Sequence, residues 1–276
     1  MKRIAACAFF FAYWLCALLT VTGTPAARAA EAYGNGAVPR KLYNTAKQKL
    51  RDGKTIIGAT VASFDANIYC AVANAGFDYV MIDMQHSTLT YADAAYMILA
   101  CRGAQAMPFI RVPDATESDI QKATDIGALG IIVPTVDTTE KAETAVRWTR
   151  YPPAGYRSQG AGQGPALWGP DYRQTFNDNV MVVAMIETPV GAQAADKIAA
   201  VPGVDVIFVG SGDLGGDIGN DEIVTRIHDA TLKAGKILAG PLAWKDRPGY
   251  TFLMGPTEVS LLRTGAQKSL KAVTAP

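Results

Sequence analysis

Residues 107–134 read MPFIRVPDATESDIQKATDIGALGIIVP and contain two apolar runs separated by a segment with helical character. The runs Met107–Arg111 and Gly130–Pro134 have the length and continuous apolarity of parallel strands that are buried on both faces. Between them, Glu117–Asp125 is predicted to be helical, and Gly127 stands where a glycine commonly ends a helix. The stretch therefore predicts a β–α–β unit.

The same alternation continues on both sides of this unit. We predict eight strands: Thr55–Thr60, Tyr79–Asp83, Met107–Arg111, Gly130–Pro134, Val180–Glu187, Val204–Val209, Ile237–Leu242 and Thr251–Met254. The predicted helices are Ile68–Ala75, Tyr91–Gly103, Glu117–Asp125, Glu140–Trp148, Ala192–Ala200 and Ile223–Ala234. Eight strands within about 200 residues favour a closed barrel over an open sheet. The predicted fold class is thus α/β, a (β/α)8 TIM barrel.

The first 29 residues have the pattern of a secretory signal peptide. Lys2 and Arg3 precede an apolar run from Ile4 to Val21, and Ala27-Arg28-Ala29 fits the small-x-small cleavage rule. The alternative is an uncleaved membrane anchor, since the run is nearly long enough to span a bilayer. We expect cleavage and export, to the periplasm, followed by an N-terminal arm over residues 30–42 and a single barrel domain over residues 43–276.

Composition narrows the range of partners. Removal of residues 1–29 takes away three basic residues and no acidic one, which leaves 23 basic and 25 acidic residues. A nearly neutral surface predicts neither nucleic acid nor membrane as a partner of the cleaved chain. Cys70 and Cys101 are the two cysteines that remain. We expect two buried thiols, with a disulfide as the alternative in an oxidising compartment.

Polar residues follow several predicted strands. Asp83 and Arg111 end the second and third strands, His86 lies three residues after Asp83, Glu187 ends the fifth, and the sixth runs into Gly210-Ser211-Gly212-Asp213. Active sites of such barrels lie at the carboxyl ends of the strands. The barrel prediction therefore brings these groups to one mouth.

These residue types fit metal-assisted acid–base chemistry on a substrate that carries a carboxylate. Glu187 and Asp213 supply the carboxylate oxygens that Mg²⁺ or Mn²⁺ prefers, and Co²⁺ suits such a pair too. His86, with its ring oriented by Asp83, is a candidate general base, and Arg111 could stabilise a developing enolate. The glycine-rich turn with Ser211 is a candidate for binding a substrate carboxylate.

Two further regions are predicted to lie near the mouth. The connection over residues 150–179 is unusually long, and long ordered loops are commonly functional, so we expect it over the catalytic face. Leu242, after the seventh strand, is a candidate substrate contact, as is Trp244. The alternative for both is packing against a loop.

Taken in order, these segments resemble the HpcH/HpaI aldolase family, the class II pyruvate-dependent aldolases grouped with the citrate lyase β-subunit. The matching stretches are Asp78–His86, Phe109–Pro113, Ala123–Ala128, Val133–Thr138, Arg150–Arg157, Met185–Thr188 and Phe208–Leu214. The resemblance covers roughly residues 43–267 and implies a barrel of the phosphoenolpyruvate/pyruvate-domain type. It also implies aldol cleavage of a 4-hydroxy-2-oxo acid to pyruvate, or a related 2-oxo acid, and an aldehyde.

The resemblance implies roles for individual residues too. Glu187 and Asp213 would bind a divalent metal, the His86–Asp83 pair would help move the proton, Arg111 would stabilise the enolate, and Asp125 would act as a carboxylate behind them. It further implies a homo-oligomer, a trimer or hexamer, with exchanged C-terminal helices. The chain departs from the family pattern where many members have Gln and it has Met185. Its C-terminal region after Gly265 is short, so we expect only a small exchanged helix.

Two other functions remain open at this point. One is a citrate-lyase-like enzyme that acts on a CoA thioester, for which the sequence offers no basic cluster. The other is an exported protein that binds a keto acid without turning it over. Release of pyruvate from a substrate distinguishes the aldolase from both.

Overall fold

The computed structural model describes residues 42–215 and 221–274 and shows a closed barrel of eight parallel strands. Each strand pairs with the next along the chain, and β8 pairs with β1. The strands are β1 Ile56–Val61, β2 Tyr79–Asp83, β3 Met107–Arg111, β4 Gly130–Val133, β5 Met181–Ile186, β6 Val206–Val209, β7 Ile237–Pro241 and β8 Tyr250–Thr257. The prediction of a (β/α)8 barrel is confirmed.

The helices are α1 Thr45–Arg51, α2 Ala66–Ala73, α3 Tyr91–Ala100, α4 Glu117–Asp125, α5 Thr139–Thr149, α6 Gly164–Trp168, α7 Tyr172–Asn179, α8 Pro189–Gln193, α9 Ala195–Ala200, α10 Asp221–Lys233 and α11 Glu258–Thr274. The sequence prediction missed α1, α6, α7, α8 and α11. The chain from β7 to β8 contains only a 3-10 turn, Leu242–Trp244. There Trp244 is buried and takes the place of a covering helix, packing over Gly240 and edge-on against Tyr250 with ring centroids 5.1 Å apart. Trp244 therefore does not line the mouth.

Aromatic side chains fill the barrel interior. The ring centroid of Tyr79 lies 4.6 Å from that of Phe252 and 5.0 Å from that of Phe109. Glycines make room for these rings, because a Cβ at Gly58 would lie 2.2 Å from the Tyr79 ring and one at Gly130 would lie 2.1 Å from the Phe109 ring. The interior is thus a packed core rather than a pore, and a ligand has to bind at the mouth.

The long connection over residues 150–179 lies at the base of the barrel, so its expected place over the catalytic face is wrong. Helix α5 leads the chain from β4 back to the amino-terminal ends of the strands before this connection begins. The Trp168 indole donates a hydrogen bond to the Gly127 carbonyl, 3.0 Å away, and stacks on Tyr43 at 5.4 Å. Two helices, α6 and α7, order the connection and close the base.

A disulfide joins Cys70 of α2 to Cys101, which follows α3, with Cα atoms 5.4 Å apart. The expectation of two free thiols is therefore wrong, and the alternative holds. The expected signal peptide and most of the N-terminal arm lie outside the described residues. Within the described ranges, no helix is both long and apolar enough to cross a membrane.

Candidate active site

The mouth of the barrel is formed by the residues that follow the strands. Asp83, Arg111 and Glu187 project from the ends of β2, β3 and β5, and the Gly210–Asp213 turn follows β6. The parallel pairings align the ends of β2 and β3 and those of β5 and β6. The predicted residues of these four strands thus meet at one end of the barrel, as the sequence indicated.

Glu187 is 5% exposed, and among the described residues only one of its two carboxylate oxygens accepts a hydrogen bond. Its Oε1 accepts hydrogen bonds from the Thr135 N–H at 2.7 Å and the Thr135 hydroxyl at 3.1 Å. Gly210 lies against its other side, where a Cβ would be 2.9 Å from Oε2 and 2.4 Å from the Glu187 Cβ. Glycine is therefore required at position 210 to make room for the carboxylate.

Asp83 and Arg111 form a two-pronged ion pair. The Arg111 Nε donates to Asp83 Oδ1 at 2.9 Å, and an Arg111 Nη donates to Oδ2 at 2.5 Å. Burial acts to raise the pKa of Asp83, but the Arg111 hydrogen bonds and charge, with the backbone N–H groups of His86 and Gln85, bring that pKa below its ordinary value. Asp83 is therefore a carboxylate near neutral pH that fixes the guanidinium in the mouth.

His86 lies on the exposed rim, in the turn after β2. Its backbone N–H donates to Asp83 Oδ1 at 3.3 Å, while both carboxylate oxygens of Asp83 already bind Arg111. The His86 ring makes no hydrogen bond with the residues that the structure describes. Asp83 thus orients Arg111 and the turn, rather than the imidazole as predicted.

The turn after β6 places Ser211 half-buried and Asp213 exposed, with Leu214 buried beneath them. A Cβ at Gly212 would meet none of the described residues within 4 Å, which leaves room for a ligand beside these residues. Leu242 is half-buried directly after β7. Both the turn and Leu242 occupy the mouth side of the barrel.

The structure does not bring Asp125 to this site. Asp125 ends α4, which runs from the mouth to the base, and its Oδ1 accepts a 2.6 Å bond from the Arg157 guanidinium. Within one chain, Asp125 anchors the long connection at the opposite end of the barrel. Its sequence position beside a glycine at a helix end could have indicated this, because α–β turns lie at the base.

The donor set at the mouth fits a divalent cation. Across the described ranges, no Lys, Arg or His lies within 4 Å of the Glu187 carboxylate. Within the same ranges, His, Cys, Asp and Glu form no metal-binding group of three or more, so a cation here would have fewer than three such ligands. Burying a carboxylate without a cationic partner costs free energy, and Oε2 of Glu187 accepts no hydrogen bond from the described residues. Glu187, with Asp213 from the neighbouring strand, therefore suits a metal that takes its remaining ligands from water and substrate.

The family model described as HpcH/HpaI aldolase/citrate lyase matches residues 57–236, from β1 to the residue before β7. The chain belongs to this family. It is therefore an enzyme, a lyase of the aldolase type.

Similar proteins extend the match over most of the chain. A hydroxypyruvate/pyruvate aldolase of Roseovarius nubinhibens is 32% identical over 246 residues, which cover 82% of this chain and 95% of that protein. A hydroxypyruvate/pyruvate aldolase of Deinococcus radiodurans is 34% identical, covering 80% and 84%. A crystal structure of a family protein from Burkholderia cenocepacia aligns with a TM-score of 0.75 at 30% identity, covering 84% of this chain and 100% of that one.

Thr135 is the residue of this site that the sequence prediction did not single out. It appeared only within the Val133–Thr138 motif, and its contact with Glu187 spans 52 residues of chain. A threonine in this segment gives no local signal of such a contact.

Proposed function

We propose that this protein is a divalent-metal-dependent aldolase that cleaves a 4-hydroxy-2-oxo acid to pyruvate, or a related 2-oxo acid, and an aldehyde. The observation that carries the proposal is the buried carboxylate of Glu187, of which one oxygen accepts hydrogen bonds and the other is available to a ligand. The glycine turn lies beside it, and Asp83 fixes an arginine in the same mouth. The activity named for the similar aldolases of Roseovarius and Deinococcus supports the same substrate class.

Each residue has a part in this reaction. Glu187 and Asp213 would hold the cation, and Mg²⁺, Mn²⁺ or Co²⁺ would each suit them. When bound, the cation supplies Lewis acidity at the 2-oxo group. His86 accepts the proton of the 4-hydroxyl, the C3–C4 bond breaks to leave an aldehyde and an enolate, and the enolate is then protonated at C3. Arg111 stabilises the enolate charge because Asp83 fixes its guanidinium.

The turn over Gly210–Asp213 would bind the substrate carboxylate. The Gly212 position is open, and Ser211 adds a hydroxyl beside it. Leu242, at the end of β7, would contact the aldehyde portion. Asp125 is given no part in the reaction within one chain, because it lies at the base.

We also propose a homo-oligomer, a trimer or hexamer, because α11 leaves its apolar face uncovered. The helix has 17 residues, longer than expected, and Val259, Leu262, Leu270 and Val273 are between 57% and 85% exposed at helical spacing. Such a stripe is typical of a helix that packs on another subunit.

Export to the periplasm is part of the proposal. The pattern of residues 1–29 favours it, and a disulfide between Cys70 and Cys101 is stable in an oxidising compartment. Size-exclusion chromatography with light scattering and N-terminal sequencing of the secreted protein test assembly and cleavage.

The experiment that tests the reaction measures pyruvate release from a panel of 4-hydroxy-2-oxo acids. The protein is assayed as purified, after EDTA, and after Mn²⁺ or Mg²⁺ is returned. We expect EDTA to abolish release and metal to restore it, and Glu187→Ala and Asp213→Ala to lose metal and activity together. Release by a metal-free double variant contradicts the proposal, and bound metal without release favours a thioester lyase or a binding protein.

A further inference from the structure

Thr135 has a backbone conformation that its side chain disfavours. Its φ is +50°, and no other described residue except glycines has a positive φ. A β-branched residue in the left-handed region is a steric outlier, and glycine or asparagine adopts this region far more readily. Strain of this kind persists where the surrounding structure enforces it, commonly at functional sites.

The left-handed turn at Thr135 directs two donors to one oxygen. The Thr135 N–H lies 2.7 Å and its hydroxyl oxygen 3.1 Å from Oε1 of Glu187. The next residue is fixed as well, since the Val136 N–H donates to the Met185 carbonyl at 2.9 Å. Two consecutive residues after β4 are therefore bonded to the end of β5 and to the glutamate that follows it.

The opposite side of the carboxylate is left open. Gly210 provides space beside Oε2, and in the described part of the chain Oε2 accepts no hydrogen bond. One oxygen of Glu187 is thus held by two donors, while the other is available. A glycine at position 135 would supply the N–H without strain, so the hydroxyl is what threonine adds.

We propose that Thr135 is a positioning residue whose hydroxyl fixes the orientation of Glu187 and so raises the affinity of the site for a divalent cation. This inference rests on the proposed function, in which Glu187 binds the metal. Groups that hydrogen-bond to metal ligands typically change metal affinity by about 10- to 100-fold when removed. Thr135 acts through its hydrogen bonds to Glu187.

Two matched variants separate the hydroxyl from the shape of the side chain. Thr135→Val keeps the branched shape and removes the hydroxyl, and Thr135→Ser keeps the hydroxyl. We expect Thr135→Val to weaken Mn²⁺ binding about 10-fold or more, measured by calorimetry or by the EPR signal of free Mn²⁺. Thr135→Ser should stay within about 3-fold of the wild type, and excess Mn²⁺ should restore most of the activity of Thr135→Val.

Thr135→Gly serves if Thr135→Val folds poorly, as judged by circular dichroism. It retains the N–H and removes the strain, so we expect a higher melting temperature together with weaker Mn²⁺ binding. Wild-type Mn²⁺ affinity in Thr135→Val or Thr135→Gly overturns the role of Thr135 alone. A wild-type chain that binds no Mn²⁺ overturns the proposed function and this role together.

Discussion

The two ends of the barrel each contain an aspartate–arginine pair, but the surroundings of the pairs differ. At the mouth, Arg111 binds Asp83 and keeps its side chain 12% exposed. At the base, the Arg157 side chain is 0% exposed and lies between the rings of Tyr151 and Phe176, at 4.4 and 4.3 Å from their centroids. The same kind of ion pair thus leaves the Arg111 guanidinium accessible to a ligand at the mouth, whereas at the base it fixes the connection over residues 150–179.

The carboxylates show the same contrast. At the base, Asp205 accepts bonds from Arg150 and from the Val182 N–H, both at 2.8 Å, and Asp125 binds Arg157. At the mouth, Glu187 has no cationic partner in the described ranges and keeps one oxygen available. The two carboxylates at the base are paired within the chain, whereas Glu187 at the mouth is left for a ligand to pair.

The largest expected effect compares the unpaired carboxylate with a paired one. Glu187→Gln should lose Mn²⁺ binding and lower kcat/KM at least about 1000-fold, because Lewis acid catalysis contributes several kcal/mol. Asp205→Asn should leave kcat/KM within about 2-fold and lower the free energy of unfolding by about 2 kcal/mol. Steady-state kinetics and urea unfolding measure both, and a catalytic loss in Asp205→Asn would break the comparison.

The two arginines allow the same substitution at each end. Arg111→Lys should lower kcat roughly 100-fold with little change in stability, because lysine keeps the charge but loses the planar, two-pronged geometry. Arg157→Lys should leave kcat unchanged and lower the free energy of unfolding by about 2 kcal/mol, through lost stacking and hydrogen bonding. Equal kinetic effects would show that the two ends are not functionally distinct.

The disulfide gives a further test of the difference between mouth and base. It joins α2 and α3 near their carboxyl-terminal ends, which face the base. Its cysteines are 31 residues apart, and closing a loop of that size stabilises a fold by about 3–4 kcal/mol. Cys70→Ser/Cys101→Ser should unfold at lower urea concentration and keep the kcat of the wild type. A catalytic defect in the folded double variant would argue against a purely stabilising role.

The smallest expected effect is a pH dependence at the mouth. Because the pKa of Asp83 is lowered by folding, the carboxylate stabilises the native state above the ordinary Asp pKa of about 3.9, and this contribution is lost as the pH falls through the lower folded value. Below about pH 4, the unfolding free energy of the metal-free wild type should therefore fall more steeply with acidification than that of Asp83→Asn. Parallel pH profiles would contradict the pairing.

The sequence prediction was accurate where the amino-acid pattern within an element was strong. Strands β2 and β3 were predicted with the bounds that the structure shows, because a strand buried on both faces is an unbroken apolar run. Helix α7 and the 17-residue α11 were missed, the former inside a glycine-rich connection and the latter because its apolar stripe has no partner within the chain. Periodicity indicates an element reliably only where its buried face is continuous in sequence.

The sequence by itself determined the barrel and placed Asp83, Arg111, Glu187 and Asp213 at strand ends, because strand ends are local features. Only the tertiary structure decided that Asp83 binds Arg111 rather than the His86 ring, that Asp125 lies at the base, and that Thr135 holds Glu187. These contacts join residues 28 to 52 positions apart. Which of several nearby donors a carboxylate binds depends on side-chain directions that are fixed when the strands close into a barrel, and no local pattern carries that information.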